Sequence, residues 1–295
     1  MSRSICLAAV FGLAALATPA FAADPDWSAV GKAMGKDGSL QPGGIYRVAL
    51  PRTDLHVTLD GVTLKPGFAL GGWLAFEPTG DQAMVMGDLV LTQDEINPVM
   101  KKLEEDGIQI TGLHNHLLRA EPATMYMHVM GHGNPVTLAQ ALHAALALSK
   151  VPFEAPTGTA QPPQMELDTA SVDKILGASG KANGGVLQYG IPRAEKIEES
   201  GMAVPPALGS AVAINFQPTG GGKAAITGDF VLTAKEVNPV VKALRDNGIE
   251  VTAIHNHMLD DQPRLFFMHF WANDDAQKLA RGLRAALDRV NVAKS

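Results

Sequence analysis

Apolar positions along this chain change their period several times, and each change marks an element. Ile45–Leu50, Trp73–Phe76 and Ala83–Leu91 have the β-branched, aromatic and apolar density of strands. Val99 and Leu103 then stand four apart, which is helical spacing. Asn97-Pro98 predicts the start of that helix, as an N-cap followed by proline at the first helical position. Gly107 predicts its end, with Ile108 behind it for the closing hydrophobic contact. Ile108 and Ile110 open a further strand that runs through His116. Residues 117–122 turn the chain, 123–130 return as a hairpin partner, and Leu138–Leu148 reads as an amphipathic closing helix.

The whole pattern is then written again. Gly87-Asp88, Val90-Leu91-Thr92, Glu95, Asn97-Pro98-Val99, Lys101, Leu103, Gly107-Ile108 and Thr111 recur as Gly228-Asp229, Val231-Leu232-Thr233, Glu236, Asn238-Pro239-Val240, Lys242, Leu244, Gly248-Ile249 and Thr252, at an offset of 141 residues. Solenoid repeats are much shorter, so two long copies indicate tandem duplication of a domain. The fold class expected is α+β: one domain used twice, each copy with a mixed or antiparallel sheet, a hairpin and packed helices. Repeat domains are expected over 27–153 and 168–294. A linker rich in Pro, Gly and Thr is expected over 154–167.

Composition narrows the setting. Arg3, the apolar run Ala8–Ala17 and the small residues Ala20 and Ala22 form a secretory signal pattern over residues 1–22, and place the protein in the periplasm or outside the cell. The single cysteine, Cys6, lies inside that segment, which excludes disulfides, thiolate catalysis and cysteine-based zinc sites from the mature chain. A formal net charge of -6 with dispersed Lys and Arg gives no footprint for nucleic acid or anionic lipid. No apolar run after the signal approaches membrane-spanning length, so no membrane insertion is expected.

The candidate chemistry is histidine. His114-Asn115-His116 is followed by His128, and His255-Asn256-His257 by His269, so six of nine histidines belong to one duplicated constellation. Residues two apart on a strand share a face. With the turn centred near Glu121, His128 falls opposite His114 and Tyr126 opposite His116, where cross-strand Cβ atoms are about 5 Å apart. Each triad could then hold a transition metal, with zinc the first candidate and copper or another transition metal possible. The competing reading is a buried imidazole network that fixes the hairpin and binds no metal. Glu121 is the candidate acid/base near the first triad, and Gln262 takes its place in the second copy.

Other polar residues have structural readings. Thr92…Glu95 and Thr233…Glu236 fit capping boxes. Arg52 and Arg193 could hold an anion or form solvated corners, and Asp88 and Asp229 are ambiguous at a strand bend. Met127 and Met268 precede their histidines and should face the core. The run Gly220-Gly221-Gly222 reads as a hairpin turn because it lacks the Lys-Ser/Thr ending of a phosphate loop. The letters H-N-H alone do not indicate a nuclease in an acidic chain with no supporting motif.

On Gly87–Glu95, Asn97–Val99 and Thr111–His116, each repeated in the second half, the chain resembles the LppY/LpqO family of exported bacterial proteins. The resemblance implies secretion and a two-copy architecture, and it implies no established activity. His114, His116 and Glu121 imitate the first cupin motif, but a helix lies just upstream and the second copy lacks the Glu. Three functions therefore stand as expectations: a metal-binding protein with two pseudo-equivalent three-histidine sites, a metal-dependent hydrolase acting mainly at the first, or a metal-free module for a small-molecule ligand.

Overall fold

The computed structural model describes residues 25–154 and 165–293. The targeting segment expected over 1–22 and most of the linker expected over 154–167 lie outside the described residues. In the first copy the elements run α1 (Trp27–Met34), β1 (Ser39–Leu40), β2 (Tyr46–Pro51), β3 (Thr58–Leu59), β4 (Val62–Thr63), α2 (Pro66–Ala69), β5 (Gly71–Thr79), β6 (Gln82–Thr92), α3 (Gln93–Glu105), β7 (Gln109–His114), β8 (Thr124–Gly133) and α4 (Pro135–Leu146). The second copy repeats the plan with α5 (Thr169–Leu176), β9 (Lys181–Asn183), β10 (Val186–Pro192), β11 (Glu198–Glu199), β12 (Met202–Ala203), a 3-10 turn at Pro206–Leu208, β13 (Ala211–Gly220), β14 (Lys223–Thr233), α6 (Ala234–Asp246), β15 (Glu250–His255), β16 (Asp261–Gln262), β17 (Leu265–Asp275) and α7 (Ala276–Leu287).

Each copy builds a six-stranded antiparallel sheet, in the order β1-β2-β5-β6-β8-β7 and β9-β10-β13-β14-β17-β15. This is the α+β duplication expected from the sequence. Helices cover one face of each sheet. In the first copy Val30 and Met34 of α1, Val99 and Leu103 of α3 and Leu142 of α4 pack with Val85, Leu89 and Met127. The opposite face is also buried, since every residue from Ala83 to Leu91 is buried. Its cover is the other copy: Ala75, Met84, Met86 and Met130 belong to one core with Ile214, Ile226 and Phe230. A second shared core joins Phe68 and Tyr126 to Val186 and Trp271.

Local chemistry explains the helices. Thr92 and Thr233 cap α3 and α6 through reciprocal capping boxes with Glu95 and Glu236. The helices thus begin five residues before the Asn97 and Asn238 starts expected from the Asn-Pro signal. Pro98 and Pro239 lie inside them at exposed positions, where the carbonyl each proline leaves without a partner faces water. The C-termini match expectation. Gly107 and Gly248 are left-handed, with φ 77° and 73°, and the Ile108 and Ile249 amides close back on Leu103 and Leu244.

Arg52 and Arg193 are neither solvated corners nor anion sites. Arg52 is 0 % exposed and donates to both Glu95 oxygens, both Asp54 oxygens and the Val90 carbonyl. Arg193 repeats this with Glu236, Glu195 and the Val231 carbonyl. Burial alone would raise the two helix-capping carboxyls. Their arginines and the neighbouring amides hold Glu95 below its usual range and Glu236 down to about 2. Each network pins a helix start to the strand that carries Asp88 or Asp229.

Candidate metal centre

The edge strands β7 and β15 bring the two histidine sets together. Each carries a bulge, at Thr111 and at Thr252, where the pairing with β8 or β17 skips a residue. A bulge re-aims the extra residue away from its own ladder. Here both threonines reach across the repeat interface: Thr111 donates to the His257 carbonyl and Thr252 to the His116 carbonyl, each at 2.5 Å. The asparagines between the histidines reciprocate, Asn115 donating to the Thr252 carbonyl at 3.2 Å and Asn256 to the Thr111 carbonyl at 2.7 Å. A Cβ on Gly112 would stand 2.8 Å from the Asn256 carbonyl oxygen, so this close approach needs glycine. The repeated Thr-x-x-His-Asn-His sequence is therefore a two-way clasp as well as a ligand set.

The register differs from expectation by two residues. His114 lies opposite Tyr126, and Gly112 opposite His128, while His116 stands just beyond the end of β7. The connection from Asn115 to Ala123 is a shaped loop instead of a tight turn, so the centre of the hairpin moves. All six rings still converge. Across the interface, ring centroids of His114 and His255 are 3.3 Å apart, those of His116 and His269 3.7 Å, and those of His128 and His257 3.7 Å. Tyr126 covers the other face of His116, and Phe267 covers that of His257.

Two carboxylates complete the cluster. Asp88 on β6 lies opposite His128, and Asp229 on β14 opposite His269. Asp88 Oδ2 is 3.7 Å from His116 Nε2, and Asp229 Oδ2 is 3.2 Å from His257 Nε2. Potential ligand atoms within 4.8 Å of one another form four overlapping groups: Asp229, His255, His257 and His269; Asp88, His116 and His128; His114, His128, His255 and His257; and His114, His116 and His269. The first two groups each lie within one copy. The other two join both copies.

Protonation is fixed by the backbone. The Nδ1 atoms of His114, His255 and His269 face the carbonyls of Asn115, Asn256 and Gly228, at 3.0, 3.2 and 2.7 Å. A carbonyl only accepts, so these Nδ1 atoms carry protons and the Nε2 lone pairs point inward. His128 Nε2 is 2.8 Å from His114 Nε2. That separation suits one shared proton or one shared cation. Burial, reinforced by the neighbouring rings, holds His116, His128 and His257 well below the ordinary value. Burial likewise lowers His114 and His255, and takes His269 to about 3. Burial pushes Asp88 up to about 8, helped by the Asp229 charge, and also raises Asp229.

The buried side-chain atoms without hydrogen-bond partners point to the same place. Apart from Glu77 Oε2, every one among the described residues belongs here: Asp88 Oδ1, Asp229 Oδ1, and Nε2 of His116, His255, His257 and His269. Unpaired polar atoms are costly to bury, and metal coordination would satisfy all six. Imidazole and carboxylate are the donors transition ions take. An open cleft of about 1040 Å³ reaches the cluster, lined by Asp88, His116, Tyr126, Asp229, His257 and His269 among others.

The six sequence-predicted histidines thus meet, whereas Glu121 does not join them. Its residue is exposed, its backbone pairs with Thr58, and its carboxylate is in none of the ligand groups, because the loop carries it outward to β3. Met127 and Met268 lie in the cores as expected. The aspartates are the candidate ligands that the sequence alone left ambiguous. Their signal was an identical Gly-Asp in both copies, and only strand register shows it to lie opposite the third histidine.

Comparison with known proteins adds a family and little else. No curated protein matches the chain. Among solved structures, the trimeric bacterial microcompartment shell protein PduB aligns with 88% of this chain and 97% of its own, at 12% identity and a TM-score of 0.23. EtuB from Clostridium kluyveri aligns with 86% and 91%, at 9% identity and a TM-score of 0.20. Likeness that slight carries no argument about fold or assembly. The family model is another matter: it matches residues 28–148 and again 170–289, once on each copy, so the chain belongs to the family described as Domain of Unknown Function (DUF1259).

Proposed function

We propose that this chain binds transition-metal ions at the interface between its two repeats. The supporting observation is the set of six buried donor atoms in the histidine–aspartate cluster that have no hydrogen-bond partner. Two pseudo-equivalent sets can be drawn, Asp88, His116 and His128 with His114 beside them, and Asp229, His255, His257 and His269. The proposal is one ion on each set, two per chain. Zinc is the first choice, because the donors are imidazole nitrogen and carboxylate oxygen and the methionines next to His128 and His269 are core residues. Copper is the second. The signal pattern over residues 1–22 places the protein in the periplasm or outside the cell, in keeping with the LppY/LpqO resemblance. No helix among the described residues is long and apolar enough to cross a membrane.

One observation favours a second reading, a metal-dependent hydrolase. The cluster opens on the large cleft, whereas a storage or structural site is closed. A divalent ion bound there supplies Lewis acidity. The chain's own contribution would be orientation: carbonyls fix the imidazole tautomers, and Tyr126 and Phe267 wall the rings from bulk water. In this reading Asp88 and Asp229 stand nearer the chemistry than Glu121.

Elemental analysis of the purified, tag-free mature chain after zinc reconstitution tests the proposal. Two equivalents are expected, with loss in the His114→Ala/His255→Ala variant while circular dichroism stays native. No bound metal in the wild type after reconstitution would leave the cluster as a metal-free imidazole network.

A further inference from the structure

The two copies face each other across the cleft with matching Asp88/Asp229 and His116/His257, but they differ around these residues. Arg47 on β2 occupies the position held by Gln188 on β10, at the 141-residue offset. Both line the cleft. Arg47, Ala49, Trp73 and Asp88 share one sheet face, since Ala49 lies opposite Trp73 and Trp73 opposite Asp88.

Arg47 is held as a binding group is held. Its guanidinium carbon sits 4.0 Å over the Trp73 ring. One nitrogen, Nη1, donates to the Ala207 carbonyl of the second copy at 2.5 Å. Gly209, with φ 90°, lies at the Trp73 ring edge, where a Cβ would stand 3.1 Å from it. Stacking and one anchor fix the plane of the fork and leave Nε and Nη2 without a partner among the described residues.

The two buried arginines show what is missing from half-buried Arg47. Arg52 and Arg193 each grip two carboxylates. Arg47 grips none: Asp88 is near enough to be felt, but no ion pair is made. Burial brings Arg47 down to about 10, a cost that a carboxylate contact would offset. A planar, oriented, partly desolvated guanidinium with free donors suits a bidentate oxyanion.

From this arrangement we propose that the cleft takes a small molecule bearing a carboxylate or phosphate, whose oxyanion Arg47 grips beside the histidine–aspartate cluster. The proposal deepens the metal reading and rests on it in one respect: divalent ions bound at the cluster would add positive field beside Arg47. Gln188 offers no matching charge and Ala213 no matching ring, so the stacked guanidinium lies on the first copy's side of the cleft alone.

The test titrates inorganic phosphate and, separately, benzoate into the full mature chain, zinc-loaded and metal-free, by calorimetry. Arg47→Gln is the main variant, since Gln already stands at the equivalent position of the second copy. Wild-type zinc-loaded protein is expected to bind at least one probe, and Arg47→Gln to bind it roughly ten- to a hundredfold more weakly at unchanged zinc content. Arg47→Lys, which keeps the charge and loses the fork, should fall between, and decides the matter if Arg47→Gln does not fold. Phosphate alone would assign a phosphate ester, benzoate alone a carboxylate, and both the shared oxyanion chemistry. Equal affinity in wild type and Arg47→Gln, or neither probe bound by folded zinc-loaded wild type, would overturn it. If no zinc is taken up, the metal reading fails separately. The proposal then stands only on Arg47-dependent binding by the metal-free chain.

Discussion

Stripping the metal and lowering the pH should unfold this protein far sooner than its size suggests. Imidazoles in the folded cluster are held neutral, while the same groups in an unfolded chain protonate near pH 6.5. Below that pH the unfolded state binds more protons, so stability falls as pH falls. His269, taken to about 3 in the fold, loses the chain about 2 kcal/mol between pH 6.5 and pH 5. Half of the six behaving alike would remove about 6 kcal/mol, much of an ordinary domain's total. The aspartates act the other way. Asp88 at about 8 keeps its proton in the fold when the unfolded carboxyl has lost it, so its contribution is present at low pH and is lost as pH rises toward 8. Six imidazoles outweigh two carboxyls below pH 6.5, and the carboxyls alone act above it. Metal-free protein should therefore be most stable near neutral pH. Its melting temperature should fall by more than about 10 °C between pH 7 and pH 5, at 2–4 °C per kcal/mol. Differential scanning fluorimetry in EDTA across pH 4.5–8.5 measures this. A melting temperature flat from pH 7 to pH 5 would refute the neutral, desolvated histidine cluster.

Two further outcomes follow from contacts outside the rings. Asn115→Ala with Asn256→Ala removes both cross-repeat amide bonds, leaves buried carbonyls without partners, and should cost about 1–3 kcal/mol per site in urea unfolding. Zinc affinity should fall with it, because the clasp sets the spacing of the rings. Arg52→Met strands Glu95 in a buried position and should destabilise by about 3–5 kcal/mol, while zinc stoichiometry in the folded fraction stays unchanged.

The sequence made much of the fold legible because the signals were local and doubled. The strands around Trp73–Phe76 and Ala83–Leu91, the left-handed Gly107 and Gly248, and the Thr92–Glu95 box are all short-range chemistry. The helix start went astray where two local signals competed. Asn97-Pro98 resembles a cap, but the capping box upstream had a buried arginine behind it, and an exposed proline is tolerated within the helix. The hairpin register went astray because Asn115–Ala123 is too irregular for a turn to be counted. Glu121 was misplaced for the same reason.

The centre itself was half legible. Periodicity put His114 and His128 near each other, yet nothing in a 141-residue offset says that the copies meet through their edge strands. The clue lay in Thr111 and Asn115 with their counterparts Thr252 and Asn256, identical residues with no task inside their own strand. Their partners are backbone carbonyls of the other copy, which sequence does not display. Asp88 and Asp229 needed register across three strands before they could be assigned.

Anomalous diffraction at the zinc edge from crystals of the zinc-reconstituted chain tests the central claim most directly. Two peaks are expected, one among Asp229, His255, His257 and His269, the other among Asp88, His116 and His128. Strong peaks only at surface carboxylates, with the six imidazoles free of metal, would contradict it.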